Sequence, residues 1–163
     1  MSTGQETVTE RIVVGVDGSS SSKAALAWAV RQAERTGGTV EAVTAWHYPV
    51  VLGTAFGPAT VLPETDFAEV AEHILSQAVS ETVDPAGPVK VSCVIREGNA
   101  AAILLDAARG ADLLVLGSRG HGGLTEALLG SVSQHCVHHA QCPIVIIPAD
   151  RHGPPGSGGK EVR

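Results

Sequence analysis

Short apolar runs set between helix-length segments constrain this chain more than any other feature. From Arg11 to Asp17, the positions Ile12, Val13, Val14 and Val16 leave no polar alternation, and Leu113–Leu116 and Ile144–Ile147 are apolar throughout. A strand with one wet face alternates, whereas a strand without alternation is buried on both faces, as in a parallel sheet covered by helices. The stretches between carry helical spacing. Leu26, Ala29, Val30 and Ala33 form one stripe, opened by the Asp17-Gly18-Ser19-Ser20 turn and ended by Gly37-Gly38. Phe67, Val70, Ala71, Ile74 and Ala78 form another, opened by Asp66 with Glu69 as a capping box. Val40 to Trp46 and Val89 to Ile95 read as strands, Asn99 caps a helix ending near Gly110, and a last helix runs from about Ser131 to Ala140. The order β-α-β-α-β-α-β-α-β predicts the α/β class: a single Rossmann-like domain with a five-stranded parallel open sheet and helices on both faces.

Composition narrows the function classes. At 163 residues and 44% hydrophobic, the chain can bury a core without disulfides or a structural metal, and at 3% aromatic that core must be Val, Leu, Ile and Ala. Its net charge of -6, with no run of Lys or Arg, argues against a nucleic-acid partner. Cys93, Cys136 and Cys142 make an odd count without CxxC spacing, which suits reduced thiols in a reducing compartment. The first ten residues are polar and no apolar run reaches membrane-spanning length, so a cytoplasmic protein with no membrane partner is expected. The expected organisation is a domain over residues 11–149 between disordered segments 1–10 and 150–163, with a mobile loop from about Tyr48 to Pro63.

Open sheets of this kind bind ligands outside the carboxyl ends of their strands, where the winding reverses, commonly between the first and fourth strands. The fourth strand runs into Gly117-Ser118-Arg119-Gly120-His121-Gly122-Gly123, and the segment continues to Gly130-Ser131. Glycines permit positive φ and close approach of backbone amides to an anion. Ser131 as N-cap would leave the amides of Val132 and Ser133 pointing out of a helix start, where a phosphate gains hydrogen bonds and the helix dipole. The competing reading is a flexible surface loop, and the position between a buried strand and a helix favours the phosphate. Arg119 either clamps a phosphate or is solvated; Asp17 either serves the ligand or fixes the turn before Ser20.

Other motifs fail. No lysine lies near the loop, as a P-loop requires. Gly15-x2-Gly18 and His47 do not make a dinucleotide fingerprint, and Leu116-Gly117-Ser118-Arg119-Gly120 lacks the first glycine of a nucleophile elbow. Helical spacing brings His135 and His139 together, but Cys136 falls on another face and packs inward, so His138 and Cys142 complete no standard ligand set and no metal site is expected. Neither a base to activate water nor a carboxylate cluster is evident, which suits a binding module rather than a dedicated enzyme.

The spacing Gly117-x2-Gly120-x9-Gly130-Ser131 resembles the ATP-binding signature of the universal stress protein family. Ile12-Val13-Val14-Gly15-Val16-Asp17-Gly18-Ser19, Ala111 to Gly117 and Cys142 to Ile147 resemble that family's other segments, so the likeness spans about residues 11–148. The resemblance implies an adenine nucleotide alpha hydrolase-like fold and a stress-response or signalling module that binds ATP, with Mg²⁺ held by the phosphates. It also implies that Gly15 and Asp17 border adenine and ribose, that Ala45 touches adenine, and that Gly117, Ser118, Arg119 and Gly120 lie along the ribose and first phosphate. His121, Gly122 and Gly123 then continue the loop, and Gly130, Ser131 and Val132 hold the outer phosphates. Glu126, in the bridging segment, is less suited to phosphates than a small or basic residue. Slow ATP hydrolysis, or AMP or cAMP in the same site, are the alternatives. Ile144–Ile147, an apolar edge strand, is expected to pair with its copy across a two-fold axis, the homodimer that the resemblance also implies.

Overall fold

The computed structural model describes residues 9–48, 66–120 and 129–148. The expected terminal segments, nearly all of the expected mobile loop, His121 to Gly123 and Glu126 lie outside them. The elements are β1 (Arg11–Gly15), α1 (Ser20–Thr36), β2 (Thr39–Trp46), α2 (Phe67–Thr82), β3 (Lys90–Glu97), α3 (Ala100–Ala107), β4 (Leu113–Gly117), α4 (Ser131–His139) and β5 (Ile144–Ile147). All strand pairs are parallel and the order is β3-β2-β1-β4-β5, so the winding reverses between β1 and β4 as the alternation predicts. Val13 is the hinge of the sheet, paired with Glu41 of β2 on one side and Leu114 of β4 on the other.

Local chemistry sets the helix ends. Ser19 caps α1 by accepting from the Ser22 amide at 3.2 Å, and Gly37 ends it in the left-handed region with φ of 71°. Asp66 accepts from the amides of Ala68 and Glu69 at the start of α2, and Asn99 accepts from Ala102 at the start of α3. Period-two side-chain direction then splits the apolar strands between two layers. Ile12, Val14, Val40 and Ala42 pack under α1 and α2 with Leu26, Ala29 and Leu75; Val13, Val43, Leu114 and Leu116 pack under α3 and α4 with Leu104 and Cys136. The central strands are therefore buried on both faces, with Ile12, Val13 and Val14 at 0% exposure.

The amino end of the sheet is closed by polar bonds. The Arg11 guanidinium reaches Glu41 at 3.0 Å and the Ala107 carbonyl at 2.9 Å, and the Arg11 amide donates to Asp112 at 2.8 Å. These tie the end of α3 to the bottom of β1. The carboxyl end opens into a cavity. Among the described residues, no helix is long and apolar enough to cross a membrane.

Candidate functional site

The cavity is about 500 Å³ and lies over the carboxyl ends of β1, β2 and β4, at the reversal of winding. One wall is apolar: Val43 and Ala45 from β2, Leu116 from β4, and Ala100 and Leu104 from α3. The other is polar backbone: Arg119 and Gly120 after β4, and Gly130 through Ser133 at the start of α4. Gly15, Val16, Asp17 and Ser22 join the two walls. A ligand with a flat apolar part and an anionic tail matches both surfaces at once.

Glycine is required for room at Gly117, where backbone stands in the way, and less strictly at its neighbours. Gly117, Gly120 and Gly130 do not have positive φ, contrary to the expectation from sequence. A Cβ on Gly117 would stand 2.7 Å from the Ser21 carbonyl carbon, because the first turn of α1 presses on the end of β4. A Cβ on Gly120 would meet Asp17 Oδ2 at 2.6 Å, and one on Gly15 would meet Leu116 at 2.9 Å. Asp17 Oδ1 accepts from the Ser19 amide at 2.9 Å, so the aspartate fixes the turn while it borders the cavity.

The start of α4 differs from the sequence expectation in one further respect. Gly130, not Ser131, is the N-cap; Ser131 is the first helical residue and no side chain caps the helix. The reason is the segment's own closure: the Gly130 amide donates to the Ser118 carbonyl at 2.7 Å, which brings the chain back onto β4 one residue early. The amides of Ser131, Val132 and Ser133 have no hydrogen-bond partner among the described residues, and all three residues line the cavity. A helix start left open in this way attracts an anion through its amides and its dipole.

Of the residues singled out from sequence, Gly15, Asp17, Ala45, Gly117, Arg119, Gly120, Gly130, Ser131 and Val132 all line one cavity. Ser118 does not: it is buried, and its amide donates to the Ile147 carbonyl at 2.8 Å, joining the segment to β5. His121, Gly122 and Gly123 lie outside the described residues. Sequence reasoning missed Val16, Ser22, Val43, Ala100, Leu104, Leu116 and Leu129, and named Ser133 for its amide alone. The apolar ones look like ordinary core in the sequence. The signal for Ser22 was its place in a run of serines just after Asp17.

Among the described residues the histidines form no larger cluster. His135 and His139 stack at 4.2 Å between ring centroids, Cys136 is buried beneath α4, and no group of three or more candidate metal ligands occurs among the described residues. Burial raises the thiols of Cys93 and Cys142 above their ordinary range and pushes that of Cys136 up to about 11.

Comparison with known proteins agrees with this architecture. The model of the universal stress protein family matches residues 9–148. A universal stress protein of Mycolicibacterium smegmatis is 38% identical over 146 residues, covering 85% of this chain and 48% of that protein. The chain thus spans about half the length of such curated relatives. Among solved structures, the universal stress protein UspA from Lactobacillus plantarum superposes with a TM-score of 0.66 at 24% identity, over 85% of this chain and 97% of the other. A universal stress protein in complex with cAMP gives 0.65 at 24% identity, over 87% and 98%. At that identity the structural likeness establishes the fold, and the family model, matched from residue 9 to residue 148, establishes the kinship: the chain belongs to the universal stress protein family.

Proposed function

We propose that this chain is a stress-response or signalling module that binds ATP in the cavity between β1 and β4. The observation that carries the reading is the pairing of an apolar wall, Val43, Ala45, Leu104 and Leu116, with the open amides of Ser131, Val132 and Ser133 across one cavity. Adenine is flat and largely apolar on its faces; phosphates are anions that backbone amides and a helix dipole hold well. On this reading Gly15, Asp17 and Ala45 border adenosine. Arg119 and Gly120 follow the first phosphate, with His121, Gly122 and Gly123 beyond them, and α4 receives the outer phosphates. Mg²⁺, if carried in, is held by the phosphates themselves. A solved relative in this fold holds cAMP, which favours adenine nucleotides over other anions.

The module is read as a binder of nucleotide in the cytoplasm rather than a dedicated enzyme. Its half-buried edge strand β5 is read as the surface through which two copies pair. The deciding experiment is calorimetric titration of the purified chain with ATP, AMP and cAMP, together with analysis of any nucleotide retained through purification. The reading expects ATP to bind more tightly than AMP. Preference for AMP or cAMP would assign the cavity to a monophosphate, and stoichiometric release of ADP would make the chain a slow ATPase.

A further inference from the structure

Three successive carbonyls, beginning at the last residue of β4, each accept a hydrogen bond from a distant part of the chain. The Gly117 carbonyl accepts from Ser133 Oγ of α4 at 2.7 Å, and the Ser118 carbonyl accepts from the Gly130 amide at 2.7 Å. The Arg119 carbonyl accepts from Ser21 Oγ of α1, with Ser19 Oγ at 3.4 Å from the same oxygen. There is no cis peptide among the described residues, so each N–H points opposite to its carbonyl. The Ser118 amide is spent on Ile147. The amides of Arg119 and Gly120 have no partner among the described residues, and both residues line the cavity.

The Arg119–Gly120 peptide differs from the other two, because among the described residues its carbonyl is held by side chains at the start of α1. That helix packs on one face of the sheet, whereas the cavity's apolar wall (Val43, Leu104 and Leu116) belongs to the other. Drawing the carbonyl towards α1 turns the Gly120 N–H towards the cavity. With the peptide reversed, a carbonyl oxygen would face the ligand and repel an anion. Ser19 is a poorer substitute, since its Oγ stands 3.4 Å from that oxygen, at the long end of hydrogen bonding.

We infer that Ser21 is a positioning residue of the site: its hydroxyl holds the Arg119 carbonyl so that the Gly120 amide is presented to the phosphate before any ligand arrives. Ser21 is 2% exposed and does not line the cavity, so it acts through that peptide and not by touching ligand. The inference rests on the nucleotide reading of the cavity and adds to it what presets the amide. An amide already aimed at the anion spares the cost of reorganising it on binding.

The test is Ser21→Ala in the full chain, with two readouts. Calorimetry should show affinity for ATP and AMP falling about ten-fold and affinity for adenosine unchanged, the loss expected for one misdirected charge-assisted hydrogen bond. In the ligand-free protein, the Gly120 amide resonance should shift and broaden in the variant as the peptide samples two orientations. Unchanged ATP affinity, or equal losses for ATP and adenosine, would overturn the inference. So would a Gly120 resonance of wild-type position and width, a result that can be read even if the wild-type chain binds no nucleotide. If Ser21→Ala does not fold, Ser21→Cys keeps the size with a weaker donor and should give the same pattern at smaller amplitude; wild-type behaviour there overturns the inference equally.

Discussion

Gly117→Ala and Gly120→Ala should separate the two uses of glycine in this segment. At Gly117 the new Cβ would lie 2.7 Å from the Ser21 carbonyl carbon and 2.9 Å from Ser21 Cβ. Those atoms belong to the first turn of α1, which is fixed by its cap and by packing of Leu26 and Ala29, so neither can retreat without moving the helix. Overpacking of this kind costs about 1–3 kcal/mol, against which the stiffer unfolded chain returns roughly 0.4–1 kcal/mol. A net loss of about 1–2 kcal/mol follows, or roughly 0.5–1 M in the urea midpoint for a slope near 2 kcal/mol per M. At Gly120 the obstacle is the tip of the Asp17 side chain and not backbone, so the loss of stability should be smaller than at Gly117 even though the carboxylate that holds the Ser19 amide must shift. Nucleotide affinity should nevertheless fall, because the methyl group and the displaced carboxylate crowd the phosphate path. Urea unfolding followed by circular dichroism checks the first half and calorimetry the second. If Gly117→Ala unfolds with the wild type, or Gly120→Ala loses as much stability as Gly117→Ala, the close approach of α1 is not what requires glycine at Gly117.

Gly130→Asp should move stability and binding in opposite directions. A carboxylate at the uncapped N-cap of α4 adds a few tenths of a kcal/mol over glycine, while nucleotide affinity measured by calorimetry drops, since the carboxylate occupies and repels the anion's place. Burial lifts the Cys136 thiol from 9.0 to about 11, so its contribution to stability is complete below pH 9 and lost between about pH 9 and 11 as the unfolded thiol ionises. The loss is at most about 2–3 kcal/mol, and Cys136→Ala should flatten that limb of the stability–pH curve measured by urea unfolding. Val145→Lys should lower the mass seen by light scattering if β5 joins two copies; a wild type that stays monomeric at high micromolar concentration would remove the dimer proposal.

The fold was legible because its strongest signals are local. Ile12–Val16 and Leu113–Leu116 declare doubly buried strands, Ile144–Ile147 declares a strand that lies half-buried at the edge, and Asp66 and Asn99 cap the helices they were expected to cap. The position of the cavity followed from topology. Its composition followed only in part, because Val43, Leu104 and Leu116 have the same chemistry as the core residues beside them and differ only in facing a gap. The positive φ expected at Gly117 and the N-cap expected at Ser131 were misjudged for a related reason. A backbone clash with Ser21 and a bond from Gly130 to Ser118 are long-range facts that no local motif encodes.

The placement of β1 at the centre of the sheet has a consequence for how the chain matures during synthesis. Its first partner, β2, follows within about thirty residues, but its second, β4, is drawn from residues a hundred positions later, as in the pairing of Val13 with Leu114. A nascent chain that has emerged only through β3 can fold β1, α1, β2, α2 and β3 on one another, yet it then carries the apolar edge of β1 unpaired. Such an edge invites wrong partners. Emergence of β4 and α4 closes that edge and completes the cavity in the same step, so the last neighbour of β1 and the second wall of the cavity arrive together.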